Sequence, residues 1–147
     1  MPEGKAPPQE KPENDDGYFE QITKAVFRAG FSWKVIENKW PNFQEAFDHF
    51  SIDKVAAYDV RDVDRLLDDE GIVRNGRKIE STIYNAGVIV DLRDEYGSFE
   101  AYLRSMDNQD YQSVSKDLQN RFKHLGRTGT YTFLWCVAEE VPDWEER

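Results

Sequence analysis

Apolar side chains recur at the three- and four-residue spacing of an amphipathic helix along most of this chain. We find no convincing segment with the strict alternation of a β-strand. The helical segments are short because residues that cap a first helical turn interrupt them at Ser32, Ser51, Asp59 and Ser98. The sequence therefore predicts an all-α fold, a compact bundle of short helices joined by short loops.

Two helix boundaries depend on single residues. The first helix should run from Tyr18 to Gly30, with the side chain of Asp15 or Asp16 as its cap. Further along, Pro41 should begin a new helix, because proline suits a first helical turn and disrupts a helix interior. Both expectations rest on local sequence alone.

We expect a single domain with a disordered start and an acidic end. Residues 1–16 are rich in proline and glutamate and contain no aromatic residue, so they should be a disordered lead. Residues 17–144 should form one helical domain, since 147 residues with 39% hydrophobic and 14% aromatic content can bury a core. Residues 145–147 are expected to be an acidic tail.

The sequence also excludes several classes of protein. No apolar run approaches the length of a membrane span and no signal peptide opens the chain, so we expect a cytoplasmic protein. The single cysteine, Cys136, excludes an internal disulfide and a zinc site built from several cysteines. Because Cys136 lies in an apolar segment, we expect a buried and unreactive thiol.

The net charge of −10 argues at first against a partner as negative as nucleic acid. Most of this charge lies at the ends, because residues 1–16 contain five acids and two bases and residues 139–147 contain five acids and one base. Between them, basic side chains cluster at 74–78 and at 116–127. Local clusters of this kind matter more for nucleic-acid binding than the total charge.

The second basic cluster surrounds a glycine turn. A tight turn is predicted at residues 125–127, between the end of one helix and the start of another at Thr128. Gly126 can adopt a positive φ without steric cost, and Thr128 can cap the second helix. The backbone N–H groups at such a helix start attract phosphate. The basic residues around the turn are Lys116, Arg121, Lys123 and Arg127.

Two interpretations of this turn remain open. It could be a helix-hairpin-helix that grips a nucleic-acid backbone without reading its sequence. It could equally be an ordinary corner between two helices with a solvated basic rim.

Several segments resemble, in order, motifs of the DNA-3-methyladenine glycosylase I family. The sequence AGFSW at residues 29–33 is similar to the family's AGLSW, and GIVR at 71–74 with KI at 78–79 is similar to its GIIR and KI. The resemblance covers roughly residues 17–144, and it implies the all-α fold of the helix-hairpin-helix glycosylase superfamily. Further matches occur at residues 96–99, 115–116 and 122–133.

The resemblance implies a base-excision enzyme that needs no cofactor. Such an enzyme binds damaged double-stranded DNA, flips the altered base into a pocket and hydrolyses its N-glycosidic bond. Trp33 takes the place of a tryptophan that stacks on the base, and Phe31 that of a residue that wedges into the duplex. Both rings could instead pack in the hydrophobic core. Arg74 could help to form the floor of the pocket, contact DNA or be a solvated charge. The residues expected to hold the DNA backbone are Lys116, Lys123, Gly126, Arg127 and Thr128.

The chain departs from the family at three places. Where the family has a pocket glutamate and a glutamine, this sequence has Ala25 and Arg28, so the contacts that recognise methylated adenine are altered. The family's structural zinc needs two cysteines and two histidines, which this chain does not supply at the right places, and we expect no metal. The family's hairpin proline is replaced by Arg127, which adds a positive charge.

Loss of the pocket glutamate does not exclude catalysis. Purines alkylated at N3 or N7 are cationic, so the base leaves as a neutral molecule, and a ring such as Trp33 could bind it through a cation–π contact. A carboxylate should still stabilise the positive charge that develops on the sugar. Related superfamily members place an aspartate after the hairpin, near where Asp143 lies here. Asp143 is therefore the candidate catalytic residue, unless it is a solvated acid of the tail.

Three functions remain compatible with the sequence. The leading one is a monomeric DNA glycosylase that releases alkylated purines such as 3-methyladenine. It should be monofunctional, because Thr128 stands near the place where bifunctional relatives carry a lysine. Since Ala25 and Arg28 rebuild the pocket, the protein could instead prefer another lesion or bind DNA without catalysis. A purely protein-binding role would give no salt-dependent affinity for DNA.

Overall fold

The computed structural model describes residues 6–147, and within them it contains eight α-helices and no β-strand. The predicted all-α fold is therefore confirmed. Two 3₁₀ turns, at Asp48–Phe50 and Trp144–Glu146, complete the regular structure of this region. The helices are α1 (Asp15–Arg28), α2 (Trp33–Ala46), α3 (Ile52–Ala56), α4 (Val60–Leu67), α5 (Gly76–Tyr96), α6 (Phe99–Arg104), α7 (Tyr111–Arg121) and α8 (Arg127–Cys136).

Helix α5 is the centre of the bundle, because it packs against α1, α3, α4 and α6. Helix α8 packs against α1 and α7. Aromatic rings fill much of the core, and the indole of Trp40 stacks on Phe43 and Phe50 with ring centres 4.9 and 5.2 Å away. Rings of this size bury more apolar surface than any other side chain, so they fix how α1 and α2 pack.

Helix α2 continues through Pro41, so the predicted helix start there is wrong. A proline inside a helix removes one backbone hydrogen bond and costs about 3 kcal/mol. Pro41 is exposed, whereas Trp40 and Phe43 on the inner side of α2 are buried in the aromatic core. Burial of these two rings offsets the cost of the proline, and the local sequence does not contain that information.

The four predicted caps are confirmed. The side chains of Ser32, Ser51, Asp59 and Ser98 each accept a hydrogen bond from a backbone N–H group in the first turn of α2, α3, α4 and α6, respectively. These caps act within three residues of their own position, so a local sequence pattern is enough to identify them.

Helix α1 is capped by Asn14, so the predicted cap, Asp15 or Asp16, is wrong. Instead, Asp15 Oδ1 accepts a hydrogen bond from the backbone N–H of Phe99 at 2.9 Å. Asp16 Oδ1 accepts one from the backbone N–H of Ile52 at 3.1 Å. The two carboxylates therefore bind the first turns of α6 and α3 and tie them to the start of α1.

The segment before α1 is fixed to the end of α8. The indole Nε1 of Trp135 donates a hydrogen bond to the carbonyl oxygen of Pro7 at 2.8 Å. The backbone N–H of Glu10 donates one to the carbonyl oxygen of Cys136 at 3.0 Å. The last carbonyl groups of a helix lack partners within the helix, so this segment satisfies one of them.

These contacts differ from the disordered lead that the composition of residues 1–16 suggests. Residues 1–5 lie outside the described part of the chain, while residues 6–14 contact the domain and α1 already begins at Asp15. Composition shows that a segment cannot form a hydrophobic core by itself. It does not show whether another part of the domain provides hydrogen-bond partners for that segment.

The C-terminal residues lie along the first turns of α8. The phenol of Tyr131 donates a hydrogen bond to the carbonyl oxygen of Pro142 at 2.6 Å, and its ring meets Trp144 edge-on with centres 5.3 Å apart. The guanidinium of Arg147 lies over Trp144 at 3.9 Å, and its Nε donates to Thr128 Oγ1 at 3.1 Å. The segment expected to be an acidic tail therefore ends beside α8.

Candidate active site

A cavity of about 480 Å³ lies between the end of α1, the loop that joins α1 to α2, and the start of α8. Its mixture of aromatic, hydroxyl and guanidinium groups suits a planar ligand with polar edges. Among the described residues that line it, none is an acid. The lining residues are Ala25 and Arg28 of α1, Ala29 to Ser32 of the loop, Trp33 of α2, and Thr128, Gly129 and Thr132 of α8.

A buried lysine holds the loop in place. The ammonium group of Lys78, on α5, donates hydrogen bonds to the carbonyl oxygens of Phe27 at 3.2 Å and Ala29 at 2.6 Å. Burial lowers the pKa of Lys78. Gly30 follows with a φ of 70°, which favours glycine, and turns the chain towards α2. These contacts fix the backbone of the loop and therefore the positions of Phe31 and Trp33.

Arg28 lies beside Trp33 in the wall of the cavity. The guanidinium carbon is 4.8 Å from the centre of the Trp33 ring, and Arg28 is only 7% exposed. Its Nη1 contacts Cys136 Sγ at 3.8 Å, and its Nη2 is 3.7 Å from Glu37 Oε2. The Nε atom is buried and has no hydrogen-bond partner among the described residues. Burial raises the pKa of the Cys136 thiol, while the Arg28 charge opposes that shift.

The structure brings the three predicted pocket residues together. Trp33, Ala25 and Arg28 all line the same cavity. Phe31 also lines this cavity and is 43% exposed, so it belongs to the surface and not to the core. The core alternative is therefore excluded for Phe31, and its role as a wedge stays a prediction.

Asp143 does not line the cavity. It is exposed and precedes the last 3₁₀ turn, between the two residues that contact Tyr131. Burial raises the pKa of Tyr131, and the charge of Asp143 raises it further, so this carboxylate lies near α8. Tyr131 is next to Thr132, which lines the cavity. Asp143 is thus close to the helix that forms one cavity wall.

The turn between α7 and α8 differs from its prediction in two details. Gly126 has a φ of −89° and is itself the cap of α8, while the positive φ of 59° falls on His124. Helix α8 begins at Arg127, so Thr128 is its second residue and not its cap. No side chain caps α8. Its first N–H groups are therefore available to an anion.

Helix α5 fixes this turn through a buried amide that the sequence did not reveal. Asn85, which is 1% exposed, accepts a hydrogen bond from the backbone N–H of Lys123 at 2.8 Å. Its amide nitrogen donates one to the carbonyl oxygen of Lys123 at 3.0 Å. Ser81 Oγ and His124 Nδ1 are 3.2 Å apart one helical turn earlier. The only sequence signal was a polar residue on the inner face of the longest helix.

Basic side chains from two parts of the sequence meet at this turn. Arg77 of α5 lies with Lys123 and His124 around a cleft that Glu80 and Ser81 also line. Burial lowers the pKa of His124, and the nearby charges of Lys78 and Arg77 lower it further. Lys123 Nζ lies 4.0 Å from the ring centre of Tyr84. The turn therefore carries positive charge next to the uncapped start of α8.

The remaining predicted DNA-binding residues are spread over the surface. Arg127 is exposed at the first position of α8, Lys116 is exposed on α7, and Arg74 is exposed in the loop before α5. Neither Arg74 nor Lys116 lines the cavity. Within residues 6–147 there is no group of three potential metal ligands, and no helix is long and apolar enough to cross a membrane.

Sequence comparisons relate this chain to known proteins. The family model described as methyladenine glycosylase matches residues 9–121. DNA-3-methyladenine glycosylase 1 of Escherichia coli (strain K12) is 32% identical over 143 residues, covering 84% of this chain and 76% of that protein. DNA-3-methyladenine glycosylase of Haemophilus influenzae is 28% identical over 148 residues, covering 87% of this chain and 80% of that protein.

A structural comparison agrees with these matches. The structure of 3-methyladenine DNA glycosylase I from Staphylococcus aureus, solved to explain 3-methyladenine recognition, superposes with a TM-score of 0.78 and 27% sequence identity. The match covers 87% of this chain and 78% of that chain.

Proposed function

This chain belongs to the methyladenine glycosylase family, and we propose that it is a base-excision DNA glycosylase whose cavity beside Trp33 receives a damaged purine. The relatives are named for 3-methyladenine, so alkylated purines are the first substrate class to consider. We further propose that the protein acts as a monomer in the cytoplasm and needs no metal.

The observation that carries this proposal is an aromatic cavity placed next to a basic hairpin. Thr128 belongs to both, because it lines the cavity and is the second residue of α8. A base that leaves the duplex close to the hairpin can therefore enter the cavity while its neighbouring phosphates stay on α8. A planar base in the cavity would stack on Trp33, and such stacking stabilises a complex by about 1–3 kcal/mol.

The hairpin supplies the contacts to the DNA backbone. We propose that the first N–H groups of α8, at Arg127 and Thr128, bind one phosphate and that Gly126 allows its close approach. Lys123 and Arg127 add charge, and Lys116 and Arg74 extend the basic surface. Contacts of this kind position the protein without reading the base sequence.

Phe31 is proposed to occupy the gap that the flipped base leaves. Its ring is 43% exposed and adjoins the cavity, and an exposed apolar ring at such a site can insert between base pairs. The same loop thus carries the wedge and, two residues later, the stacking ring.

We retain Asp143 as the proposed carboxylate that stabilises the sugar cation. It is held near α8 through the contacts of Pro142 and Trp144 with Tyr131. Since no acid among residues 6–147 lines the cavity, the carboxylate comes from outside this lining, and a bound duplex would bring the sugar to the mouth of the cavity. No lysine in the described part of the chain lines the cavity, which supports a monofunctional reaction with water as the nucleophile.

The test is release of free base from duplexes that each contain one damaged purine. The wild-type protein is incubated with methylated and deaminated duplexes, and the released base is identified by mass spectrometry. We expect a free purine and an alkali-sensitive abasic site in at least one duplex. Binding that weakens with salt, without release of any base, would instead indicate a DNA-binding protein without catalysis.

A further inference from the structure

The cleft beside the hairpin lies between the first turns of α5 and the turn that precedes α8. This α5 cleft has a volume of about 350 Å³ and is lined by Arg77, Glu80, Ser81, Lys123 and His124. Arg77 and Lys123, its two strong bases, are exposed. Because Lys123 and His124 belong to the turn between α7 and α8, the α5 cleft is continuous with the hairpin.

The two strong bases of the α5 cleft have no acidic partner. The chain contains 29 acidic and 19 basic side chains, and other arginines pair with acids, as Arg93 does with Asp53. Among the described residues, by contrast, neither Arg77 nor Lys123 forms an ion pair. Like charges that face one cleft repel each other, and an anion between them removes that repulsion. The α5 cleft therefore favours an anionic ligand.

Lys123 is held at this cleft through its backbone and through its side chain. Its backbone N–H and carbonyl groups both bind the amide of Asn85, at 2.8 and 3.0 Å. Its Nζ lies 4.0 Å from the ring centre of Tyr84, a residue that is 48% exposed. A lysine side chain that is already ordered loses less conformational entropy when a ligand binds. Tyr84 therefore prepares Lys123 for an anion.

His124 fixes the shape of the opposite rim. Its φ of 59° lies in the left-handed region, which residues other than glycine rarely adopt. Such a conformation persists only where surrounding contacts hold it, and the buried Ser81 supplies one, with Oγ 3.2 Å from His124 Nδ1. The α5 cleft is thus formed before any ligand arrives.

A phosphate of the DNA backbone suits this arrangement. The planar fork of Arg77 can pair with two phosphate oxygens, and Lys123 adds a compact point charge. Glu80 also lines the cleft and opposes an anion, but it is one carboxylate against two cations. The hairpin beside the cleft brings the same backbone close.

We propose that the α5 cleft binds a second phosphate of duplex DNA, in addition to the phosphate at the start of α8. Arg77 contacts this phosphate, and Tyr84 is a positioning residue that orients Lys123 towards it. This inference rests on the proposed glycosylase function and extends its DNA-binding surface from the hairpin to α5. Contacts of this kind hold the duplex whatever its base sequence.

The test measures affinity for a duplex that contains one stable abasic-site analogue, so that no base can be released during the measurement. Fluorescence anisotropy at several salt concentrations gives the slope of log K against log salt, to which each phosphate contact contributes about 0.9. The variants at the cleft are Arg77→Gln and Glu80→Gln.

Matched controls lie near the other end of the same helix. They are Arg93→Gln, which removes an arginine paired with Asp53, and Glu95→Gln, which removes an exposed acid. Both positions lie about 20 Å or more along α5 from the cleft, by the rise of a helix. At about 0.1 M salt, this distance exceeds the screening length of about 10 Å.

We expect Arg77→Gln to lower the salt slope by about 0.9 and to weaken binding about 5- to 10-fold at 0.1 M salt. Glu80→Gln should strengthen binding, up to about fivefold, because it removes an exposed repulsion. Arg93→Gln and Glu95→Gln should change neither quantity. Circular dichroism shows whether each variant is folded, and a fold defect cannot make binding tighter.

Tyr84 is tested together with Lys123. Tyr84→Leu should weaken binding about 2- to 5-fold, the range for loss of an exposed cation–π contact, whereas Tyr84→Phe keeps the ring and should bind like the wild type. In a Lys123→Gln background, Tyr84→Leu should have no further effect, because the ring acts through the lysine. A role of Tyr84 in the fold alone would give the same loss in both backgrounds.

Two results would overturn the inference while wild-type base release leaves the glycosylase function intact. One is a folded Arg77→Gln variant with the wild-type salt slope, which would show that no phosphate lies in the α5 cleft. The other is an equal effect of Tyr84→Leu with and without Lys123, which would remove the positioning role. A wild-type protein that neither binds DNA in a salt-dependent manner nor releases a base would count against the proposed function itself.

Discussion

At the scale of single residues, Tyr131 determines where Asp143 can act. Its hydroxyl group binds the carbonyl oxygen of Pro142 at 2.6 Å and its ring packs on Trp144, so both neighbours of Asp143 are fixed to α8. The carboxylate itself stays exposed. Because these neighbours fix the backbone while the side chain of Asp143 is exposed, Asp143 can be substituted without disturbing the fold.

We predict that Asp143→Asn lowers the rate of base release about 100-fold, because the sugar cation loses the charge that stabilises it. The free energy of unfolding should change by less than about 0.5 kcal/mol, since the side chain is exposed. Single-turnover base release and urea unfolding measure the two quantities. Glu145→Gln, an exposed acid two residues later, is the control and should leave the rate unchanged. Equal rates for both variants would remove Asp143 from the mechanism.

At the scale of elements, the hairpin is held by α5 as well as by its own two helices. Asn85 makes two hydrogen bonds with the backbone of Lys123, and its side chain is buried. The turn that presents Lys123, His124 and the start of α8 therefore depends on one amide of another helix.

We predict that Asn85→Ala lowers the free energy of unfolding by about 1–3 kcal/mol, because backbone groups of Lys123 lose their partner. It should also weaken DNA binding, since the turn is no longer held in one position. Urea unfolding and fluorescence anisotropy with a duplex measure these effects. Asn108→Ala, at an exposed asparagine in the loop before α7, should affect neither. Wild-type DNA affinity in Asn85→Ala would show that α5 does not position the hairpin.

Local patterns predicted the helices and the caps at Ser51 and Asp59, because a cap and its partner lie within one helical turn. The path of α2 through Pro41 could not be predicted, since it depends on the stacking of Trp40 with rings elsewhere in the core. Likewise, Asp15 looked like a cap of its own helix, but its carboxylate accepts a hydrogen bond from the backbone N–H of Phe99, 84 residues away.

The candidate site likewise has features that the sequence predicted and contacts that it did not. The family resemblance predicted Trp33, Ala25 and Arg28 for the base pocket and Phe31 for a wedge into the duplex, because these positions match residues of the family's motifs. The contact between Arg28 and Trp33 depends on how the loop between α1 and α2 folds, and the contact between Asn85 and Lys123 depends on how α5 packs against the turn before α8. No spacing in the sequence encodes such contacts.

At the scale of the whole molecule, both ends of the described chain brace α8. Pro7 and Glu10 hydrogen-bond to its end, and Arg147 hydrogen-bonds to Thr128 at its start. Helix α8 forms one wall of the cavity and the second helix of the hairpin. The position of this one helix therefore couples the cavity to the DNA-binding surface.

Alkaline pH should destabilise the whole fold. Burial raises the pKa of Tyr18 to about 12, and nearby charges such as that of Glu100 raise it too. The folded state thus keeps a proton that the unfolded chain loses near its ordinary pKa of about 10. This contribution is fully present below pH 10 and is lost as the pH rises to about 12, so the free energy of unfolding should fall over that window.

We predict that in Tyr18→Phe the free energy of unfolding falls by about 1–2 kcal/mol less between pH 10 and 12 than in the wild type. Stability at neutral pH should change little, because the buried hydroxyl group of Tyr18 has no hydrogen-bond partner to lose. Urea unfolding of both proteins at several pH values between 9 and 12 measures the difference. An unchanged slope in the variant would mean that other groups cause the alkaline loss.

The central claim is that the cavity beside Trp33 holds the base whose bond to the sugar is cleaved. The most direct measurement is single-turnover base release by Trp33→Ala, using the damaged duplex that the wild type cleaves fastest. Leu67→Ala is the control, since Leu67 is an exposed apolar residue of α4 that does not line the cavity. We predict that Trp33→Ala lowers the rate about 10- to 100-fold, as expected for loss of one stacked base, and that Leu67→Ala does not. A folded Trp33→Ala protein with the wild-type rate would contradict the assignment of this cavity as the base pocket.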